Sequence, residues 1–300
     1  MREDGTVATP EASLRQALGS TANASGGWGY YARKTSRLEP TCWSLLALGT
    51  SSSDLPAGPH LTFLARAQQP SGWLAEDPAW PVSVCFNALA AFVLASRDDA
   101  ASGVHLGRLL GALVASKGVK APPTDGSPQD NSLQGWPWID ETFSWVEPTA
   151  WGLLALKHAQ RRGVAPAGSE ARIAEAERLL LDRACRDGGW NYGNAAVLHQ
   201  DLRPYVPTTA LSLLALQHRR GEAAVAGSLD FLEAHWADEI SAVALGLALI
   251  CLDVYGRPTA SIEVRLAEHV PEAVAFGNTL GLAVALLALS KTERARVFRL

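Results

Sequence analysis

Three hundred residues, 48% hydrophobic and 19% charged, are enough to bury a sizeable core in one or two domains and exclude a disordered chain. A net charge of -4, with no basic cluster before the extreme C-terminus, excludes nucleic acid as a partner, because binding it takes many phosphate-neutralising side chains. Cys42, Cys85, Cys185 and Cys251 show no CxxC spacing, and three of them lie in or beside apolar runs, so a reduced, cytoplasmic chain is expected. Glu3 and Asp4 stand where a secretory signal would need an apolar stretch. The longest stretches of low polarity, 240–252 and 273–289, are too short or too interrupted by Asn278 and Thr279 to span a bilayer and read as buried helices.

In chain order, residues 1–10 read as a flexible N-terminus and 11–300 as one domain. A first helix over 11–19 leads to a Gly27-Trp28 corner, a polar loop, and an alanine- and leucine-rich run that Pro40-Thr41 opens over 41–49. The same unit recurs three times. A helix over 60–68 precedes Gly72-Trp73, and Pro81-Val82 opens 82–96; a helix over 103–117 precedes Gly135-Trp136, and Pro148-Thr149 opens 148–162. A helix over 170–185 precedes Gly189-Trp190, and Pro207-Thr208 opens 208–220. Segments 224–236, 239–253, 259–269 and 277–295 complete roughly twelve helices. Those before the corners are amphipathic, as where Ile173, Leu179 and Leu180 alternate with Glu175, Glu177 and Arg178; those after the prolines are apolar nearly all round. Six outer–inner pairs follow, and because the last inner run is as apolar as the others, a closed ring is expected rather than a solenoid with polar caps.

Two irregularities interrupt the repeat. Residues 121–135, with three prolines and two glycines, read as a mobile loop or a lid. The corner-to-proline distance is 17 residues in the fourth unit, Trp190 to Pro207, against 12 in the first and third, which brings His199, Asp201 and Arg203 to one loop. His199 with Asp201 reads either as an acid–base dyad or as two solvated side chains.

Phe63-Leu64, Gln68 and Gly72-Trp73, with the other Gly-Trp corners, resemble the QW repeat of squalene-hopene and related triterpene cyclases. The run from Glu39 through Pro40-Thr41-Cys42-Trp43 to Leu45 is similar to the inner-helix starts of protein prenyltransferase β subunits. The resemblance, which spans nearly the whole chain, implies the all-α, single (α/α)6 toroid of the terpenoid cyclase and prenyltransferase superfamily, with inner and outer rings around a central funnel. The hallmarks of its chemistry are missing. There is no Asp-x-Asp-Asp, the adjacent acid pairs being Asp98-Asp99, Asp140-Glu141 and Asp238-Glu239, and no aspartate-rich magnesium motif. The zinc-ligand positions of prenyltransferases fall near Pro40, Pro148, Pro207, Glu39 with Thr41, and Glu147 with Thr149, so neither metal nor cofactor is expected. Cys185-Arg186 is not the Cys-Gly-Glu-Gln of thioester domains.

In such a ring the inner-helix starts converge on the mouth. The expected acids are Asp140, Glu141 and Glu147, the first two flanked by Trp138 and Trp145. The expected binding residues are Glu39, Thr41, Trp43, Trp80, Phe86, Trp145, Thr149, Trp151, Tyr205 and Thr208. Each has a plainer reading: Glu39 and Glu147 as partners of helix dipoles, Trp43 and Trp151 as packing, Trp28, Trp73, Trp136 and Trp190 as staples of the fold. Lys291, Arg294, Arg296 and Arg299 read as a frayed helix end, with a peripheral membrane or protein contact as the alternative. The function expected from the resemblance is binding or conversion of an apolar, isoprenoid-like molecule in the funnel; the alternative is a non-catalytic toroid acting as a protein-interaction scaffold. A carbohydrate-processing toroid would need two facing carboxyls roughly 5 to 9 Å apart, and the Gly-Trp repeats read against it.

Overall fold

In the computed structural model, residues 9–49, 57–97, 100–122 and 129–300 are described; the N-terminal residues 1–8, the pair Asp98-Asp99 and part of the 121–135 segment lie outside them. Fourteen α-helices occur among the described residues: α1 (Pro10–Ser20), α2 (Leu38–Leu48), α3 (Gly58–Ala67), α4 (Val84–Ala95), α5 (Ala100–Ala115), α6 (Val146–Arg161), α7 (Ser169–Asp182), α8 (Val206–Ala215), α9 (Ala223–His235), α10 (Ala242–Tyr255), α11 (Ala260–Glu268), α12 (Val270–Phe276), α13 (Thr279–Leu289) and α14 (Lys291–Phe298). None is long and apolar enough to cross a membrane.

Helices α2, α4, α6, α8, α10 and α13 each pack on the next, and α13 packs back on α2. The ring is closed, an (α/α)6 toroid. Its inner helices carry no polar stripe to turn toward water, and α13 is buried from Leu282 to Ala288. Outer helices pack on the inner helix that precedes them, as α5 does on α4, α7 on α6 and α9 on α8. The first of them, α1, has no inner helix before it and packs on α13 instead, so the last inner helix completes the first hairpin. Each leucine buried at that seam contributes roughly 2 kcal/mol by area, which is why an apolar final helix closes the ring.

The corners explain the repeat. Trp28, Trp136 and Trp190 are fully buried, and their indole N–H groups donate to Leu18, Leu113 and Leu180 carbonyls of the preceding outer helices at 3.0, 2.8 and 2.7 Å. Their backbone N–H groups donate to Thr41, Thr149 and Thr209 hydroxyls at 2.9, 3.1 and 2.9 Å. One tryptophan thus ties an outer helix to an inner one. In the second unit Asn87 does the same for Leu74 N–H, at 2.7 Å. Glycine is required two residues before the indole of Trp190: Gly188 has φ +87°, and a Cβ there would lie 2.4 Å from the Gly227 carbonyl oxygen.

Helices α2, α6 and α8 begin two or three residues earlier than expected, because Pro40, Pro148 and Pro207 sit in the first turn, where a missing N–H costs nothing, whereas α4, α10 and α13 begin two or three residues later, where Ser83, Ser241 and Asn278 cap them. The expected 277–295 helix is broken at Ser290 into α13 and α14. Rather than fraying, α14 buries Val297, Phe298 and Arg294, and Arg294 pairs with Asp253 and Glu263.

Candidate functional site

The hub of the ring is filled. Trp43 and Trp151 meet edge to face at 5.4 Å, Phe92 lies 5.6 Å from Trp151 and 5.2 Å from Phe298, and all four are buried. Helix α14 holds Phe298 there: Gln217 donates to its carbonyl at 2.6 Å and Arg161 donates to that of Arg299. Trp43 and Trp151, expected to wall a funnel, are core. Thr41 and Thr149 use their hydroxyls on the corners. Thr208 donates to the Trp190 carbonyl at 2.6 Å, and its neighbour Thr209 takes the corner role because α8 places its proline one position earlier than α2 and α6 do.

Above the hub, the inner-helix starts are joined to their neighbours' loops. The carbonyls of Tyr30, Trp138 and Tyr192, each two residues after a corner tryptophan, accept from the N–H groups of Thr279, Val84 and Val146, all at 2.9 Å. These N–H groups belong to the unpaired first turns of α13, α4 and α6. The pattern Trp-x-aromatic, in Trp28-Gly29-Tyr30, Trp136-Pro137-Trp138 and Trp190-Asn191-Tyr192, was legible as a second repeat within the first and brings aromatic rings to the mouth. Phe86 lies edge-on to Trp138 at 5.8 Å, and Trp80 is exposed with the Arg37 guanidinium 4.4 Å over its ring.

Glu39 and Glu147 occupy the second positions of α2 and α6, one turn above Trp43 and Trp151, and keep part of their surface exposed. The Tyr30 hydroxyl donates to Glu39 at 2.6 Å. Burial, with help from the neighbouring Glu39 and Glu76 carboxylates, raises the Tyr30 hydroxyl so far that it remains a donor. Burial also raises Glu39, with the Tyr30 hydrogen bond opposing and Glu76 adding a little. The Glu147 carboxyl is pushed up to about 7, first by burial and then by the Glu39 charge, against a hydrogen bond from Trp151. Two carboxyls far apart in sequence are therefore coupled at the mouth. Asp140 and Glu141, the pair expected to be desolvated, are exposed on the rim; Glu141 holds φ +65° in a tight turn, and Asp140 accepts from the Ser116 hydroxyl at 3.3 Å.

Trp145, just before α6, and Tyr192 line a cleft of about 340 Å³. Phe143 stacks on Trp145 at 4.4 Å along one wall, and Tyr192 and Tyr205 lie 5.4 Å apart on another. Asn194 and Arg203 supply polar groups, the Asn191 amide being spent on the Asn194 carbonyl and the Gly193 N–H, and Tyr192 is raised mainly by burial, then by the charge of Glu147. The longer fourth loop folds over this cleft as a two-stranded hairpin, β1 (Ala196–Val197) and β2 (Gln200–Asp201), whose turn holds Leu198 and His199 at φ +50° and +62°. Asp201 pairs with Arg186 at 2.8 Å and not with His199, so the dyad does not form. Among the described residues no group of three or more His, Cys, Asp or Glu side chains is placed to hold a metal.

No protein-family model matches the chain, and no curated protein matches it. Solved structures do. A point mutant of Rex8A from Paenibacillus barcinonensis, complexed with xylose, superposes with a TM-score of 0.58 at 15% identity, over 100% of this chain and 96% of that one. A second Rex8A mutant, complexed with 3(3)-alpha-L-arabinofuranosyl-xylotetraose, gives 0.56 at 13%, over 100% and 94%. The toroid is shared; a terpenoid cyclase assignment is not. The expected apolar isoprenoid partner in a central funnel is corrected on two grounds: the space is packed with Trp43, Phe92, Trp151 and Phe298, and these toroids of the same shape were captured with sugars.

Proposed function

We propose that the protein binds an oligosaccharide across its mouth and cleaves a glycosidic bond there, with Glu147 as proton donor and Glu39 as the charged partner. The observation that carries this reading is an open aromatic cleft whose Tyr192 feels the charge of Glu147, a carboxyl that burial pushes up to about 7. Sugar rings present flat C–H faces edged with hydroxyls, which suit stacking on Trp145, Tyr192 and Tyr205 with hydrogen bonds to Asn194. In the reaction the oxygen of a water bonds to the anomeric carbon as the bond to the leaving oxygen breaks. Glu147 gives its proton to that oxygen and Glu39 accepts one from the water. The sugar-bound Rex8A structures support the substrate class.

The likeness to terpenoid cyclases is, on this reading, shared ring construction, since the corner tryptophans serve the fold whatever the mouth binds. The chain acts as one unit over 11–300, and its four buried free cysteines suit a reducing, cytoplasmic setting. The test is titration and product analysis with xylo-oligosaccharides. Glu147→Gln should bind but not cleave, and Trp145→Ala should bind about tenfold or more weakly. A wild-type protein that neither binds nor cleaves any oligosaccharide overturns the proposal.

A further inference from the structure

Two arginines flank the fourth-unit hairpin in sequence, Arg186 before the corner and Arg203 after β2, and their circumstances differ. Arg186 is neutralised by Asp201 at 2.8 Å. Arg203 lines the cleft itself, is exposed, and has no ion pair, hydrogen bond or ring contact with any described residue. Its positive charge is therefore uncompensated, a few residues from Tyr205 and across from Trp145 and Tyr192. The extra residues between Trp190 and Pro207 are what bring it there, since the first and third units lack them.

We infer that the carbohydrate taken by this cleft is acidic, a uronic-acid-bearing oligosaccharide whose carboxylate is gripped by the Arg203 guanidinium while its ring stacks on the aromatic wall. The inference rests on the carbohydrate reading above and names its substrate class. A guanidinium fork matches a planar carboxylate with two parallel N–H···O bonds, and in an aromatic, partly dehydrated cleft such a pair is stronger than in water. The acid of the hairpin does not compete for Arg203, because Asp201 is engaged by Arg186.

The experiment compares two xylo-oligosaccharides of equal length by calorimetric titration, one with a neutral arabinofuranosyl branch and one with a glucuronic acid branch. The acidic branch should bind about tenfold tighter at low salt, with the advantage shrinking at about 0.5 M salt. Arg203→Gln should remove the difference between the two ligands, and Arg203→Lys, which keeps the charge but loses the fork, should retain part of it. Equal affinities in the wild type, or a difference that survives Arg203→Gln, overturns the inference while leaving carbohydrate binding in place. Binding of neither ligand overturns the carbohydrate reading and this inference with it.

Discussion

The two ends of the same inner helices meet opposite fates. At their C-terminal ends α14 lies across the ring, Phe298 fills the hub beneath Trp151, and Arg162 and Arg296 donate to the Leu94, Ala95 and Ser96 carbonyls. At their N-terminal ends the loops are tied to neighbouring helix starts by backbone hydrogen bonds, yet Tyr192, Tyr205, Phe143, Ile240 and Phe276 remain exposed. Exposed aromatic surface is costly unless something covers it, which is why the proposed ligand is placed at the open end and not at the end the chain seals with its own helix. A toroid does not need a funnel to have a site.

The comparison breaks first at the sealed end. Phe298→Ala should cost about 3 to 5 kcal/mol of stability, because it opens a cavity beside Phe92 and Trp151; chemical denaturation measures it, and a loss under about 1 kcal/mol would show that α14 is not part of the core. Next, Thr41→Val should cost roughly 2 kcal/mol by leaving the buried Trp28 N–H without an acceptor, with little change in ligand binding. Binding that falls while stability holds would return Thr41 to the mouth.

At the open end the effects depend on pH. Glu147 is raised in the folded state, so its protonated form favours folding below about 4.5 and that contribution is lost as pH rises to about 7. Glu147→Gln should therefore match the wild type near pH 4 and exceed it above pH 7, by about 2 kcal/mol once partial solvent screening is allowed for. A constant difference at all pH values would show that the carboxyl is not desolvated. Smallest of all, Tyr30→Phe removes the hydrogen bond that favours the Glu39 charge. With less charge on Glu39, the Glu147 midpoint should move down, a shift that carboxyl-labelled NMR titration can follow.

Much of the ring was legible because each unit repeats its own constraint: glycine before an indole, a hydroxyl thirteen residues on from Trp28 and from Trp136, and an apolar run too uniform to face water. Helix α14 was not, because Lys291, Arg294, Arg296 and Arg299 look solvated until Asp253, Glu263 and the Ser96 carbonyl are brought to them. The mouth was half legible. Glu39 and Glu147 were visible as helix starts, but their coupling depends on the ring closing α2, α4 and α6 into an arc. Asp140 and Glu141 drew attention by being adjacent in sequence, which says nothing of burial. Arg203 was visible only as part of an insertion, and what isolates its charge is the pairing of Asp201 with Arg186.

The most direct measurement follows the ten tryptophan indole N–H signals of nitrogen-15-labelled protein during titration with a xylo-oligosaccharide. The account predicts that the Trp145 signal moves with a saturable dependence on ligand while those of Trp43 and Trp151 stay still. Signals of Trp43 and Trp151 that move while Trp145 does not would place the ligand in the hub and contradict it.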